Sequence, residues 1–270
     1  MSSLPTLVCV HAHPDDEAFF GAGAVAHYAA LGHRVVLVTC TNGQLGLDQS
    51  GRAGADPLHD VATTKSVRAG ELQRAATLLG YSRVITLGYD DSGMKGWPEN
   101  DNPDAFMNVD VDAAACTLGA IFDEEEAVVV VTYDENGFYG HPDHVMANVI
   151  TRRALDFSSS VARLYYTVVP RGVITSFVEG AKDLGLSLPG WVLDAATNVP
   201  DELVASTLDV RKYARIKQEA MAAHDSQVDN GDVVRMNEDL FTLLFGTEHY
   251  QRAWSRLETK GDLVDLFGGL

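Results

Sequence analysis

The chain has 270 residues, 46% hydrophobic and 21% charged, with a formal net charge of -18. That length suits one large domain, or one with a small appendage, and buries enough apolar surface to fold without disulfides or a structural metal. The acidic surface repels nucleic acid and anionic membranes, which sets both aside as partners.

Cys9, Cys40 and Cys116 are an odd, widely spaced set with no CxxC pair. They read as reduced thiols, mostly buried, in a cytoplasmic protein rather than as a disulfide framework or a thiolate zinc site. The first apolar run, Leu4 to Val10, is short and leads straight into Asp15, Asp16 and Glu17. It is neither a signal peptide nor a membrane span, and no later run reaches the length of one.

The N-terminal part alternates strands and helices. Leu7 to Val10 reads as a buried strand, Glu17 to Leu31 as one helix ended by Gly32, and Arg34 to Thr39 as a second buried strand. Thr41 to Asp60 is a loop rich in Gly, Asp and Asn. Val61 to Leu79 is a helix stopped by Gly80, Arg83 to Leu87 a third strand, Asp90 to Asn108 a second long loop, and Asp110 to Phe122 a helix. Ala127 to Thr132 is a fourth strand, Asp134 to His141 a loop, Pro142 to Ala154 a helix with Pro in its first turn, and Arg163 to Val169 a fifth strand. Beyond Pro170 the pattern loosens; Glu202 to Val210 reads as a strand and Val210 to Ala223 as a helix.

Val-rich strands alternating with helices predict a Rossmann-like α/β three-layer sandwich: a mostly parallel sheet with helices on both faces. Residues 1–170 form its core, and residues 171–270 are expected as a C-terminal extension packed on the same domain. In such sheets ligands bind beyond the carboxyl ends of the strands, where the long loops fall. Gly21-Ala22-Gly23 lies inside the expected first helix and lacks the spacing of a dinucleotide fingerprint; no Gly-rich phosphate loop is present, which counts against a nucleotide-binding protein.

Two polar constellations follow core strands. His11 to Glu17 (HAHPDDE) packs two imidazoles and three carboxylates together. Crowded carboxylates are costly unless a cation compensates, and a divalent metal is the simplest compensation. The competing reading is a solvated turn with Asp15 as a helix cap, but a His three residues before the second Asp favours a metal site. His11 suits a core or supporting place. The second constellation, Tyr139 to His144 (YGHPDH), carries His141, Asp143 and His144 into a helix. Catalytic zinc takes three protein ligands and one open position. His13, Asp16 and one His of the second stretch would supply three, and the same set also suits Fe2+.

These stretches resemble the LmbE-like / PIG-L deacetylase family, which includes N-acetylglucosaminyl inositol deacetylases and mycothiol conjugate amidases. Ala12 to Glu17 matches its A-H-P-[DA]-D-E motif and His141 to His144 its H-P-D-H motif; Arg68 with Glu71 and Leu72, and Asp91-Ser92-Gly93, match two more in order. Ala223 to Gln227 resembles a further segment common in the family. The resemblance implies zinc held by His13, Asp16 and His144, with Asp15 as general base. It implies that His141 and Tyr139 stabilise the oxyanion or protonate the leaving amine. Arg68 and Asp91 would hold sugar hydroxyls, and Asp143 would orient a ligand or His141. The implied function is a zinc-dependent hydrolase cleaving the amide of a small-molecule N-acylated amino-sugar. A thiol-conjugate amidase of the mycothiol type and a metal- or sugar-binding protein without turnover are the alternatives, and a homo-oligomer stays open. Gln44 stands where many sugar deacetylases carry an acidic residue, so the loop after the second strand is the segment expected to set the substrate.

Overall fold

A computed structural model describes residues 4–183, 198–227, 231–257 and 265–270. Seven strands form one sheet: β1 (Thr6–His11), β2 (Val35–Thr41), β3 (Arg83–Tyr89), β4 (Ala127–Thr132), β5 (Arg163–Val168), β6 (Ser206–Asp209) and β7 (Thr247–Ser255), in the order β3-β2-β1-β4-β5-β7-β6. The first five are parallel, whereas β7 runs antiparallel to both β5 and β6.

The continuous apolar strands are explained by covering on both sides. Leu7 and Cys9 of β1, Val35 and Leu37 of β2, and Val129 and Val131 of β4 enter one core. Their neighbours Val8, Val10, Val36, Val38 and Val130 enter the other. Side chains alternate across a strand, so burial on both faces leaves no polar position. The edge strand β3 is only partly buried, and Arg83 at its start pairs with Glu124 and Glu125.

One face carries α1 (Asp16–Phe19), α2 (Ala22–Ala30), α3 (Val61–Leu79) and parts of the C-terminal region. The other carries α4 (Val111–Glu124), α5 (Gly137–Gly140) and α6 (Pro142–Ala154). Asp60 caps α3 and Asp110 caps α4, each carboxylate accepting from a backbone N–H of the first turn, at 3.1 Å and 2.9 Å. Gly80 ends α3 with φ +86°.

The expected single helix from Glu17 to Leu31 is two. Phe20 leaves helical geometry and Gly21 takes φ +82°, a left-handed conformation, before α2 begins. A Cβ on Gly23 would lie 2.5 Å from Val210, so this helix packs too closely on its neighbour for any side chain there. Cys9 and Cys40 are buried, but Cys116 is exposed on α4.

Past Pro170 the chain is more ordered than its pattern suggests: α7 (Arg171–Asp183), α8 (Ala214–Ala222), α9 (Gly231–Val234) and α10 (Glu238–Phe245) join β6 and β7. Only Ser206–Asp209 of the expected 202–210 strand pairs, and the expected 210–223 helix starts as a 3-10 turn before α8. No helix among the described residues is long and apolar enough to cross a membrane.

A buried ion pair ties this region to α2. Lys217 of α8 lies 2.8 Å from Glu248 of β7, whose carboxylate also accepts from the N–H groups of Gly23 and Ala24 and from the Tyr250 hydroxyl, each at 2.9 Å. Burial alone would raise the Glu248 carboxyl; Lys217 and the two amides outweigh it and hold it below its ordinary range. Lys217→Ala strips the compensating cation from a fully enclosed carboxylate and is expected to cost about 3–5 kcal/mol in denaturant unfolding. A change under about 1 kcal/mol would show that the amides and the hydroxyl suffice.

Candidate active site

The strand order reverses between β1 and β4, both of which pair in the middle of the sheet. Their carboxyl ends open the crevice where doubly wound sheets bind ligands. The turn after β1 delivers His13, Asp15 and Asp16; the segment after β4 delivers Tyr139, His141, Asp143 and His144. Pro142 starts α6, and the His141 side chain caps it by accepting from the Asp143 N–H at 3.1 Å. Before it the backbone is contorted: Gly137 and Phe138 have φ +63° and +65°.

The structure brings together side chains separated by about half the chain. His144 Nε2 lies 3.3 Å from His13 Nδ1. Asp16 offers Oδ2 at 3.4 Å from His13 Nδ1 and Oδ1 at 3.4 Å from His144 Nε2. Ligands at about 2.0–2.1 Å from a tetrahedral zinc stand about 3.3–3.4 Å from one another, which is the separation of the two ring nitrogens and of each nitrogen from its own Asp16 oxygen. His141 also converges on His13 and His144, and a second donor group comprises His13, Asp91, His141 and Asp143.

Hydrogen bonds decide which nitrogens are available. His13 Nε2 is 3.0 Å from Asp143 Oδ2, so its Nε2–H donates there and Nδ1 is the free donor atom. Asp143 is itself fixed by the N–H of Ser92 at 2.9 Å and by the Ser92 hydroxyl. His141 is the opposite case: Nδ1 is occupied by the Asp143 N–H, leaving the hydrogen on Nε2. Burial lowers His141 to about 3 and His144 to about 4, so both rings are neutral near pH 7. Burial also lowers His13, but Asp91, Asp143 and Asp16 outweigh it and draw a proton to that ring. Burial would raise Asp16, yet His144 and His13 hold it well below the carboxylate range. So much negative charge in one enclosed place is the electrostatics of a cation site.

Tyr133 stacks on His144, with ring centres 4.2 Å apart and planes at 17°, and its hydroxyl accepts from the Ala12 N–H at 2.8 Å. It therefore bridges the two segments. Tyr139 is 43% exposed at the mouth, its ring centre 5.0 Å from that of His144.

Asp15 is held differently. Its Oδ2 lies 3.0 Å from Arg68 Nη2, and burial pushes its carboxyl up to about 6 against the pull of Arg68. Its φ is +123°, a conformation an L-residue rarely adopts. Arg68, expected at a sugar hydroxyl, is buried, and both terminal nitrogens are engaged by the chain: Nη1 by Gly43 O at 2.6 Å, Nη2 by Pro14 O and Asp15. Asp91 stands 3.6 Å from His13 Nε2 and accepts from the Gly93 N–H at 2.8 Å. Gln44 reaches this cluster, its Oε1 accepting from the Asp91 N–H at 3.2 Å.

Several residues of the cluster carry no assignment from the sequence. Ser92 lies inside the Asp-Ser-Gly match, and its contact with Asp143 had no local signal. Glu17 and His224, each fully enclosed, meet at 2.6 Å although 207 positions separate them in the chain. The charge crowding of Asp15, Asp16 and Glu17 was the available signal that one of the three needs its own cation. His11 is buried against Phe20 and Tyr133, its ring nitrogens without a hydrogen-bond partner among the described residues.

Two histidines and a carboxylate at the switch point of a doubly wound sheet, beside a further carboxylate and a neutral imidazole, are the equipment of a hydrolase with a candidate metal site. Residues 8–155 match the PIG-L family, described as GlcNAc-PI de-N-acetylase, and the chain belongs to that family. A 1D-myo-inositol 2-acetamido-2-deoxy-α-D-glucopyranoside deacetylase from Geodermatophilus obscurus is 39% identical over 292 aligned residues, spanning 98% of this chain and 97% of that one. Among solved structures, N,N'-diacetylchitobiose deacetylase from Pyrococcus horikoshii aligns over 92% of this chain and 82% of its own, with a TM-score of 0.57 at 18% identity. GalB, the 4-carboxy-2-hydroxymuconate hydratase from Pseudomonas putida KT2440, aligns over 95% and 99% with a TM-score of 0.58 at 15% identity. The last two show the fold alone, since one fold carries more than one reaction.

A Cβ on Gly137 would lie 2.7 Å from both the His144 Cβ and the Val145 nitrogen. Gly137→Ala also forces an L-residue to positive φ. It is expected to lower the unfolding midpoint and displace the His144 ring; an unchanged midpoint with unchanged His144 resonances in NMR would contradict that packing.

Proposed function

We propose that the chain removes the acetyl group from an N-acetylglucosamine joined to inositol, releasing acetate and the free amine. His13 Nδ1, His144 Nε2 and Asp16 hold the zinc in this reading, and Fe2+ suits the same donors. The observation that carries it is the buried convergence of His13 Nδ1 and His144 Nε2, 3.3 Å apart, with one Asp16 oxygen 3.4 Å from each of them, in the strand-end crevice. The substrate class follows from the Geodermatophilus relative, which aligns along nearly its whole length. The three free thiols suit a cytoplasmic setting.

Bound zinc supplies a Lewis acid that lowers the pKa of water and polarises the amide carbonyl. Asp15 takes the proton from the attacking water and hands it to the departing nitrogen. Arg68 holds one oxygen of that carboxylate in place, and burial keeps its basicity above that of a surface carboxylate. His141, neutral with its hydrogen on Nε2, donates to the developing oxyanion; the Asp143 N–H fixes that tautomer. Tyr139, at the mouth, is a second donor able to follow the substrate. Asp143 orients His13, and Asp91 accepts from a sugar hydroxyl, with Gln44 shaping the same wall. Arg68 acts on Asp15 in this account instead of on the sugar.

Asp15→Ala is expected to keep one bound metal and to lose about 10²–10⁴-fold in kcat. His144→Ala is expected to lose the metal itself. Elemental analysis with an amine-release assay on the inositol acetamidoglucoside reads both; full turnover in the first or undiminished zinc in the second contradicts the assignment. Amine release only from a thiol conjugate, with none from the acetamidoglucoside, would replace the deacetylase reading by the amidase one.

A further inference from the structure

We infer that Glu17 and His224 are positioning residues for Asp15, so that the C-terminal region completes the catalytic apparatus. The inference rests on the reading of Asp15 as the general base. Its observation is separate: the Asp15 backbone is held in its strained conformation by a buried pair of charged side chains. The Asp15 N–H donates to Glu17 Oε2 at 2.9 Å. The other oxygen of Glu17 meets His224 Nε2 at 2.6 Å. Glu17 is 0% exposed and His224 2%, so water competes for neither contact.

The strain points to function. Asp15 has φ +123° and ψ -30°, which glycine adopts without penalty and aspartate does not. A glycine would relax the turn but would bring no carboxylate. The chain places an Asp there and binds its N–H, while Arg68 holds the side chain and the Pro14 carbonyl. Backbone and carboxylate are thus fixed from two sides, and the backbone side depends on a residue about 200 positions away.

The segment carrying His224 is itself fastened. Both the N–H and the hydroxyl of Ser226 donate to Glu71 of α3 at 2.8 Å. Gln227 exchanges two hydrogen bonds with the Leu47 backbone, each 3.1 Å, in the loop after β2. Arg74 donates to Ala223 O at 2.9 Å. Residues 223–227 therefore reach the catalytic turn, α3 and the loop expected to set the substrate. Other buried charged groups, such as Glu248 with Lys217, hold elements together without touching the site.

The test uses the full-length zinc-loaded protein and two replacements of similar polarity. The amide nitrogen of Gln can occupy the place of His224 Nε2; that of Asn stops short of it. His224→Asn is expected to lower kcat about 10- to 100-fold, with KM and zinc content unchanged. His224→Gln is expected to recover most of that loss. In an Asp15→Ala background His224→Asn is expected to remove nothing further, because the group it positions is gone. Equal activity of the Asn and Gln variants overturns the proposal, as does a multiplicative loss in the Asp15→Ala background, or a kcat loss matched by lost zinc. Should His224→Asn fail to fold, Glu17→Gln carries the same background comparison and is judged by the same outcomes. Full turnover by Asp15→Ala alone instead overturns the base assignment and the proposal with it, so the two failures are told apart.

Discussion

Everything in this molecule is arranged around one electrostatic problem: carboxylates gathered in a largely buried crevice. Asp15, Asp16, Asp91 and Asp143 converge on the imidazoles of His13, His141 and His144 at the crevice between β1 and β4. Isolated buried carboxylates are expensive, and each of these has a named compensation. Asp15 has Arg68, Asp143 has the Ser92 N–H and hydroxyl and the His13 ring, and Asp91 has the Gly93 amide. Asp16 has the His13 backbone N–H at 2.7 Å and the two imidazoles beside it. The parallel sheet supplies the rigidity: β1 and β4 are neighbours with defined register, so the two polar segments leave the core at a fixed separation.

The parts of this arrangement legible in the sequence were the ones written locally. The central strands are unbroken runs such as Ala127 to Thr132, and the helix from Val61 to Leu79 carries its cap and its terminal glycine. The polar stretches stand directly after strands, where sheet topology makes them meet. What could not be read depends on pairing across distance. Strand β7 shows only a weak alternation, with Glu248 and Tyr250 inward, and gains its identity from lying between β5 and β6. The break at Gly21 was hidden because small residues satisfy a helix and a close turn equally; the left-handed φ of +82° at Gly21 marks it. Arg68 was expected at a sugar hydroxyl, and only the fold turns it toward Pro14 and Gly43.

The same distinction separates chemistry from specificity. The candidate site lies on turns anchored in the core, whereas the wall beside it is made by the loops after β2 and β3, which carry Gln44 and Asp91. Those loops are tied down by side chains instead of by regular structure: Asp48 accepts from the N–H groups of Ser50 and Arg52, at 2.7 and 3.0 Å, and His59 bridges Arg52 O and Gln44 O. A frame of this kind tolerates exchange of its loops while the sheet stays in place.

The central claim is the identity of the donor set, and zinc-edge anomalous diffraction from crystals of the zinc-loaded protein tests it most directly. The account requires one strong peak bonded to His13 Nδ1, His144 Nε2 and a carboxylate oxygen of Asp16 at about 2.0–2.2 Å. A peak instead among Asp91, His141 and Asp143, with His13 turned toward them and Asp16 unbound, would contradict it.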